Sequence, residues 1–350
     1  EVADLLAGAE TPVVLSGEGA LRSGAWDAVG KFAERTNTPV VTTMNGKGIV
    51  AETRPYAAGV TGRWGHCEVA NDLVAESDLV LALGCRLGDL TTLGRTSIPD
   101  AADIVHVDLD PHWLGRNYDV ALPVFADVAA AVERILHHID ETRFEAAGDR
   151  IDRIERACAE WREGHAEDLQ SDETPVNPHR LVAAIDAAAP PDAVLVAATS
   201  YPGFATAAFY RVERPGIGYI QARGSDGINF CLPQALGVQA AHPDRPVIAA
   251  TGDGGVGYHI AELETAVREN LPVTVVVFNN DEFGSSKVGQ QVTHGFDMST
   301  DLSPSDYAAV AAGFGCENRS VSDPSVLGPA LERAIDSAEP GDVLTLQAGT

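Results

Sequence analysis

The chain has 350 residues, enough for two domains of ordinary size, and 45% of them are hydrophobic, so each domain can bury a core. A formal net charge of −27 argues against binding to nucleic acid or to an anionic membrane. No apolar run approaches the roughly 18 residues of a membrane span, and no signal-peptide pattern is present. Because the five cysteines also lack zinc or disulfide spacing, we expect a cytoplasmic protein.

Strands and helices alternate through the first 140 residues. The predicted strands are short apolar runs at 13–15, 39–43, 77–83 and 104–109, and the predicted helices lie at 2–6, 24–36 and 127–138. Most of the strands end in segments rich in Gly or Asp, as at 84–89. This alternation predicts a doubly wound parallel sheet, and hence an α/β domain at residues 1–140.

A charged helical stretch at 141–174 is predicted to connect this domain to a second one at 175–350. In the second domain we expect helices at 178–188, 204–210, 305–313 and 326–337, and strands at 193–198, 217–221 and 342–347. Between them lies the most informative unit of the chain. It consists of an apolar strand at 246–251, a glycine-rich turn, a helix at 258–269 and a second strand at 273–278.

Two oxygen-bearing side chains end the two strands of this unit. Asp253 follows the first strand, and Asn280 follows the second. Because neighbouring parallel strands end at the same edge of a sheet, we expect the two side chains to converge. Carboxylate and amide oxygens suit Mg²⁺, while glycines and the amino end of a helix suit an anion. The residues therefore predict a site for Mg²⁺ and a diphosphate.

This unit, GDG followed by a helix, LPV, a strand and NN, resembles the thiamine-diphosphate motif of the acetolactate synthase and pyruvate decarboxylase superfamily. The spacing from Asp253 to Asn280 matches that family. The resemblance implies that Asp253, Asn280 and the carbonyl of Glu282 coordinate Mg²⁺. It also implies that the glycine turn touches the diphosphate, through Gly252, Gly254 and Gly255.

The resemblance covers nearly the whole chain. Residues 1–140 are similar to the middle domain of acetolactate-synthase-like enzymes through SGEGA, TTMNGKG, ALGCRLGD and VHVDLDP. Residues 175–350 are similar to their diphosphate-binding domain through NPHRLV and the GDG-to-NN unit. The implied architecture is α/β, with two doubly wound parallel-sheet domains: a Rossmann-like middle domain and a thiamine-diphosphate-binding fold.

Further cofactor contacts follow from the resemblance, position by position. Ile228 aligns with the large apolar residue that holds the cofactor in its bent form, and the carbonyl of Asp226 aligns with the acceptor of the 4′-amino group. Thr199, Ser200 and Tyr201 occupy a strand end that contacts the diphosphate. The segment after the NN ligand lies on the diphosphate and thiazolium side, and comprises Gly284, Ser285 and Ser286.

In this family an activating glutamate comes from the aminopyrimidine-binding domain of a neighbouring subunit. That domain has no counterpart in this sequence, and Glu262 and Glu264 lie on the diphosphate-side helix. We therefore leave the catalytic residue of this chain unassigned. We expect a partner polypeptide that carries the missing domain and a hetero-oligomer such as a dimer of heterodimers; the alternative is that the chain is a trimmed fragment.

The sequence also departs from the family pattern. Acetolactate synthases show Gly-Gln-His at positions 200–202, Gly-Thr-Met-Gly at 226–229 and Gly-Met-Val-Arg-Gln at 284–288. The substrate side therefore differs, and acetolactate formation is in doubt as the specific reaction. Lys287 and His294 are candidates for binding a substrate carboxylate or moving protons, with plain surface roles as the alternative.

FAD in the first domain is left open as an additional cofactor. Five residues fit the flavin pattern of relatives, whereas Leu90 replaces an arginine and the segment 62–65 replaces a Met-His loop; the five are Arg86, Asp89, Asp108, Asp127 and Val128. The alternative is a vestigial domain without nucleotide. A nicotinamide site is disfavoured, since Gly17-Glu18-Gly19 lacks the third glycine of the dinucleotide fingerprint.

The predicted function is that of one subunit of a Mg²⁺- and thiamine-diphosphate-dependent enzyme. Such an enzyme decarboxylates a 2-oxo acid, or forms or cleaves an acyloin-type bond, and its substrates are small 2-oxo acids, aldehydes or ketones. The rival interpretation from another class is a non-catalytic nucleotide-binding or regulatory module that keeps the fold but not the turnover.

Overall fold

The computed structural model describes residues 1–65, 67–222, 227–336 and 343–347, of which 145–148 and 343–347 are described by their backbone alone. The chain forms two compact units. Unit 1 comprises residues 1–164 and 211–218, and unit 2 comprises 165–210 and the described part of 219–350. None of the helices in these ranges combines the length and apolar character that a bilayer crossing requires.

Unit 1 contains six parallel strands: β1 (Pro12–Ser16), β2 (Val40–Thr42), β3 (Ala57–Val60), β4 (Leu79–Leu83), β5 (Asp103–Asp108) and β6 (Leu122–Phe125). Their order is β3-β2-β1-β4-β5-β6. The central strands β1 and β4 are buried along their whole length, which explains their continuous apolar runs. The predicted strands of this half are confirmed, whereas β3 and β6 were not predicted.

Helices cover both faces of this sheet: α1 (Val2–Gly8), α2 (Glu18–Arg22), α3 (Trp26–Thr36), α4 (Glu68–Ala75), α5 (Val128–Leu136) and α6 (Gly148–Gly164). Val14 packs into a core with Phe32 of α3 and Val132 of α5. Its neighbour Val13 packs into a second core with Val74 of α4. Alternate residues of β1 thus enter opposite cores, as in a doubly wound sheet.

The described part of unit 2 also has six parallel strands: β7 (Val194–Ala197), β8 (Tyr219–Gln221), β9 (Val247–Gly252), β10 (Val273–Asn279), β11 (Asn318–Val321) and β12 (Val343–Gln347). Their order is β11-β12-β10-β9-β7-β8. Strands β9 and β10 are neighbours in parallel register from Val247↔Val273 to Gly252↔Phe278. The predicted fold class, two parallel-sheet α/β domains, is confirmed.

Nine helices are described in unit 2: α7 (Ala166–Leu169), α8 (Pro178–Ala188), α9 (Tyr201–Phe209), α10 (Cys231–Ala241), α11 (Asp253–His259), α12 (Glu262–Arg268), α13 (Gly284–His294), α14 (Tyr307–Phe314) and α15 (Leu327–Asp336). The described core joins Val196, Ala249 and Val275 of the sheet to Leu232 of α10 and Leu263 of α12. Both central strands therefore end at an edge whose position is fixed by buried side chains.

The single helix predicted at 258–269 is wrong. The structure has two helices there, because α11 begins at Asp253 and ends at His259 while α12 begins at Glu262. At the start of α12 the N–H groups of Leu263 and Glu264 donate to the carbonyls of Ile260 and Ala261, only three residues back, which tightens the connection between the helices into a turn. The glycine turn is thus itself the first turn of a helix.

The predicted connecting helix at 141–174 corresponds largely to α6. Its Ile151 belongs to one core of unit 1, and its Ile154 belongs to the other. The chain passes from unit 1 to unit 2 at Gly164–His165. Most of the predicted connector is therefore packed onto unit 1, and α7 belongs to unit 2.

Candidate functional site

The carboxyl edge of β9 and β10 brings Asp253 and Asn280 into direct contact. Asp253 is the first residue of α11, directly after β9, and Asn280 directly follows β10. The backbone N–H of Asn280 donates to Oδ2 of Asp253 at 3.2 Å, although the residues lie 27 positions apart. The convergence expected of two parallel strand ends is therefore present.

Asp253 is a buried carboxylate. It is 3% exposed, and its Oδ1 accepts a hydrogen bond from the N–H of Gly254 at 2.7 Å. Burial raises the pKa of this carboxyl above its ordinary value of 3.8, although the N–H groups of Gly254 and Asn280 oppose the shift. No cationic side chain pairs with it among the described residues. A divalent cation would supply the positive charge that this carboxylate lacks.

The segment after Asn280 is held by its own side chains. Nδ2 of Asn280 donates to Oε1 of Glu282 at 3.2 Å, which leaves Oδ1 as the remaining ligand atom of the amide. Lys287 donates to Oε2 of Glu282 at 2.5 Å and to Asp301 at 3.1 Å. These hydrogen bonds, the one to Glu282 first, raise the pKa of the Lys287 ammonium. The ammonium group of Lys287 is therefore paired with two carboxylates of the chain itself.

A short antiparallel bridge fixes the same segment. The N–H of Phe283 donates to the carbonyl of Thr300 at 2.7 Å, and the N–H of Leu302 donates to the carbonyl of Asp281 at 2.8 Å. Asp281 has a left-handed backbone with φ 56°, a conformation that Asp tolerates better than most residues. The backbone that carries the expected Glu282 ligand is thus held from both sides.

The glycine turn has little room for side chains. A Cβ at Gly254 would lie 2.6 Å from the ring of Phe283, and one at Gly255 would lie 3.2 Å from Cβ of Asn229. Gly252 is more open, because its nearest neighbour would be Oγ of Ser200 at 3.7 Å. Glycine at position 254 therefore allows the backbone of the turn to lie close to the ring of Phe283.

The end of β7 lies at the same edge of the sheet, because β7 pairs with β9. Ser200 precedes α9 as its N-cap residue, and Thr199 lies half-buried beside it. Tyr201 has its hydroxyl 3.0 Å from Nε2 of His179. Of these three predicted contacts, Ser200 is the one whose side chain approaches the glycine turn.

The remaining predicted residues lie at different distances from the contact between Asp253 and Asn280. Ile228 is 50% exposed, which leaves an apolar side chain available to a ligand, whereas Asp226 lies outside the described residues. Gly284 is close to the site, since its Cβ would lie 3.2 Å from Nδ2 of Asn280. Ser285 and Ser286 are exposed in the first turn of α13. His294 is exposed at the opposite end of that helix.

Asn229 belongs to this site but was not among the predicted site residues. It is 2% exposed and has a left-handed backbone with φ 53°. Oγ1 of Thr251 donates to its Oδ1 at 2.5 Å. The only sequence signal was that asparagine stands where the family pattern has glycine, at a position next to the predicted Ile228.

The donor set fits a magnesium ion better than a transition metal. It offers one carboxylate, one amide oxygen and one backbone carbonyl, which are hard oxygen ligands. Within the described ranges there is no group of three or more His, Cys, Asp or Glu side chains arranged for a metal. A cavity of about 400 Å³ beside Leu271 and Pro272 lies at the other edge of the sheet, where β10 begins.

The residues proposed for FAD in unit 1 have structural partners. Asp127 caps α5 by accepting from the N–H of Ala130 at 3.1 Å, and Val128 is buried in the core. The guanidinium of Arg86 lies over Trp113, 5.3 Å from the ring centre. Asp108 accepts from the N–H of Asp110 at 2.9 Å, and Asp89 lies 3.8 Å from Arg95. Each of these residues thus has a contact within unit 1, and FAD binding stays a prediction.

Comparison with known proteins assigns both units to one family. The description "Thiamine pyrophosphate enzyme, central domain" matches residues 1–135, and "Thiamine pyrophosphate enzyme, C-terminal TPP binding domain" matches residues 199–343. A probable acetolactate synthase large subunit of Methanococcus aeolicus is 28% identical, over 96% of this chain and 58% of that protein. The putative thiamine pyrophosphate-containing protein YdaP of Bacillus subtilis is 30% identical, over 95% of this chain and 56% of its own length.

A third relative has a different reaction in its name. The sulfoacetaldehyde acetyltransferase of Castellaniella defragrans is 28% identical over 96% of this chain and 59% of that enzyme. The chain thus spans somewhat more than half the length of these curated relatives. With both units matched, the chain belongs to the thiamine pyrophosphate enzyme family and is acetolactate-synthase-like.

Proposed function

We propose that unit 2 binds thiamine diphosphate through Mg²⁺, which is held by Asp253, Asn280 and the carbonyl of Glu282. The observation that supports this most directly is the contact between Asp253 and Asn280 across β9 and β10. A buried carboxylate without a cationic partner is costly. A metal bound to it would offset that cost and would anchor two phosphate oxygens in front of the glycine turn.

The residues around this point have separate tasks in the proposal. The diphosphate is bound by the N–H groups of the glycine turn together with Thr199, Ser200 and Tyr201. The thiazolium side of the cofactor is assigned to Gly284, Ser285 and Ser286. The aminopyrimidine side is assigned to the carbonyl of Asp226. Ile228 supplies an apolar surface against which the cofactor bends and from which water is displaced.

When bound at these residues, thiamine diphosphate would supply carbanion chemistry for a substrate with a carbonyl group. We propose a 2-oxo acid that is decarboxylated, or an acyloin-type bond that is formed or cleaved, as the reaction class. The relatives support this range rather than one substrate, because their names include both acetolactate synthase and an acetyltransferase acting on sulfoacetaldehyde. FAD is not required by this proposal.

The activating glutamate is proposed to come from sequence outside this chain. Glu262 and Glu264 both lie on α12, the helix that follows the glycine turn of this chain, and Glu264 pairs with Arg268. We therefore assign neither of them as the activating glutamate. The chain spans 58% of a relative whose name states a large subunit. A second polypeptide with an aminopyrimidine-binding domain would complete a hetero-oligomer in the cytoplasm; the remainder of a longer chain would serve equally.

Calorimetric titration of the purified chain with thiamine diphosphate tests the proposal. Binding is expected only with Mg²⁺, and Asp253→Asn is expected to weaken it by about a hundredfold, because the neutral amide loses most of the attraction for the cation. Asp244→Asn, an exposed aspartate ahead of β9, is the matched control and should bind as the parent does. Equal binding by both variants would contradict the metal assignment.

Turnover is tested by adding a candidate partner chain and following CO₂ release from a panel of 2-oxo acids. Release that needs both chains, thiamine diphosphate and Asp253 supports the enzyme. Tight cofactor binding without turnover in any mixture would favour the regulatory module instead.

A further inference from the structure

A buried amide beside the glycine turn has a hydrogen-bond donor without an acceptor among the described residues. Asn229 is 2% exposed, and its Oδ1 accepts from Oγ1 of Thr251 at 2.5 Å. Its Nδ2 is buried and has no hydrogen-bond partner among the described residues. Buried polar groups are almost always paired, so an unpaired donor at this place indicates a partner from outside the chain.

The position of Asn229 places this donor at the candidate site. A Cβ at Gly255 would lie 3.2 Å from Cβ of Asn229 and 3.3 Å from Oγ1 of Thr251. Gly255 belongs to the turn whose preceding residues contain Asp253, the proposed metal ligand. Asn229 therefore lies on the side of Gly255 where a side chain would stand, next to the turn proposed to bind the diphosphate.

The backbone at this position selects asparagine for a specific reason. A φ of 53° lies in the left-handed region, which glycine adopts freely and asparagine adopts more readily than other side-chain-bearing residues. The family pattern has glycine here. This chain has an amide side chain where the family pattern has none, so the donor is an addition to the family's site rather than a part of it.

Thr251 fixes how that amide is oriented. Its hydroxyl lies 2.5 Å from Oδ1 of Asn229 and 3.2 Å from the carbonyl of Gly252. With Oδ1 occupied, Nδ2 is the atom left over, and an N–H group binds an acceptor. A phosphate oxygen is the strongest acceptor expected beside a glycine turn and a metal.

We propose that Nδ2 of Asn229 donates a hydrogen bond to a diphosphate oxygen of the bound cofactor. This inference rests on the proposed function, since it concerns the same site. It adds a ligand-binding side chain that supports tight diphosphate binding and that distinguishes a diphosphate from a cofactor fragment lacking it.

Two variants separate the donor from the backbone conformation. Asn229→Gly preserves the left-handed backbone and removes the amide. Asn229→Asp preserves the size of the side chain and replaces the donor with a negatively charged acceptor. Asn270→Gly is the control, because Asn270 has a similar φ of 55° in an exposed turn away from the site.

The measurement is calorimetric titration of the full chain in saturating Mg²⁺, first with thiamine diphosphate and then with inorganic pyrophosphate. Asn229→Gly should raise Kd for both probes by about tenfold, and Asn229→Asp should raise it further through charge repulsion. Asn270→Gly should leave Kd unchanged. Thermal unfolding without ligand shows that the variants are folded; if Asn229→Asp is not, Asn229→Gly alone decides.

Each outcome separates the two proposals. If the Asn229 variants bind both probes like the parent, the donor has no role and the inference is wrong. If the parent binds pyrophosphate but not thiamine diphosphate, and Asn229→Gly weakens pyrophosphate binding, Asn229 binds a diphosphate group while the proposed function fails. If the parent binds neither probe, both are overturned.

Discussion

Both units bury a charged side chain near the carboxyl end of their sheets, Lys47 in unit 1 and Asp253 in unit 2, and each is no more than 3% exposed. Nζ of Lys47 lies 2.6 Å from both carboxylate oxygens of Glu52, which also accepts from the N–H of Val212 at 2.8 Å. Asp253 accepts from N–H groups but has no cationic partner among the described residues. The first charge is balanced within unit 1, whereas the second has no balancing cation among the described residues of unit 2.

The turns at the carboxyl ends of the two sheets also differ in how closely other backbone segments pack against them. In unit 1 the turns after β1 and β4 pack directly on each other: the N–H of Gly19 donates to the carbonyl of Gly84 at 3.0 Å, and a Cβ at Gly17 would lie 2.3 Å from that oxygen. In unit 2 the nearest neighbour of a Cβ at Gly252 would be 3.7 Å away. Gly252, at the end of β9, thus has more room than Gly17, which follows β1, whereas Gly254 lies close to the ring of Phe283. The two sheets therefore differ at the end of a central strand, at the edge where folds of this class bind ligands.

Removing one partner of the balanced pair should have the largest effect on stability. Lys47→Met leaves Glu52, whose side chain is 11% exposed, without its cation, and we expect it to lower the free energy of unfolding of unit 1 by about 3–5 kcal/mol. Urea unfolding measures this, with Lys31→Met as the exposed control. The double variant Lys47→Met/Glu52→Gln should recover most of the loss. Additive losses would show that the pair is not coupled.

A methyl group in the glycine turn should have the next largest effect. Gly254→Ala brings Cβ to 2.6 Å from the ring of Phe283, and we expect a loss of about 1–3 kcal/mol together with weaker cofactor binding. Gly257→Ala is the control in the same helix, because a Cβ there meets nothing within 4 Å. That variant should be neutral or more stable, since alanine favours the helix. Equal effects of the two substitutions would contradict the contact.

A smaller effect is expected from pH in unit 1. His106 is buried, with Nε2 2.9 Å from the carbonyl of Cys85, and burial lowers its pKa below the ordinary 6.5. The unfolded chain therefore binds a proton at a higher pH than the folded one, so stability should fall as pH drops below 6.5. Unfolding midpoints from pH 8 to pH 5 measure this dependence. His106→Gln should reduce the slope relative to the parent, and an unchanged slope would exclude His106 as its source.

The sequence predicts what apolar periodicity and strand ends determine. β9 and β10 are buried apolar runs, so their positions and the convergence of Asp253 and Asn280 followed from the pattern. β11 was missed because three of its four residues are exposed, and α13 was missed because none of its residues is buried. Neither element has the apolar face on which such predictions depend.

The sequence predicted the residues that directly follow the strands, Asp253 and Asn280, but not the side-chain contacts around them. Asn229 was missed because a single asparagine that follows a Gly-rich segment indicates only a turn. Its role depends on the hydrogen bond from Thr251, 22 positions away, which no local pattern contains. Lys287 was predicted as a ligand for substrate or as a surface residue, and its two carboxylate partners come from positions that only the fold brings together.

The smallest predicted effect concerns this lysine. Lys287 joins Glu282, next to Asn280, to Asp301 on the bridging segment. Because it is partly exposed, we expect Lys287→Met to leave the unfolding midpoint nearly unchanged and to raise Kd for the Mg²⁺ complex of thiamine diphosphate by only about threefold. Lys287→Arg should restore the parent affinity, since it keeps the charge between the two carboxylates. If methionine abolished binding, or if arginine failed to restore it, Lys287 would be contacting the ligand itself rather than holding the segment that carries Glu282.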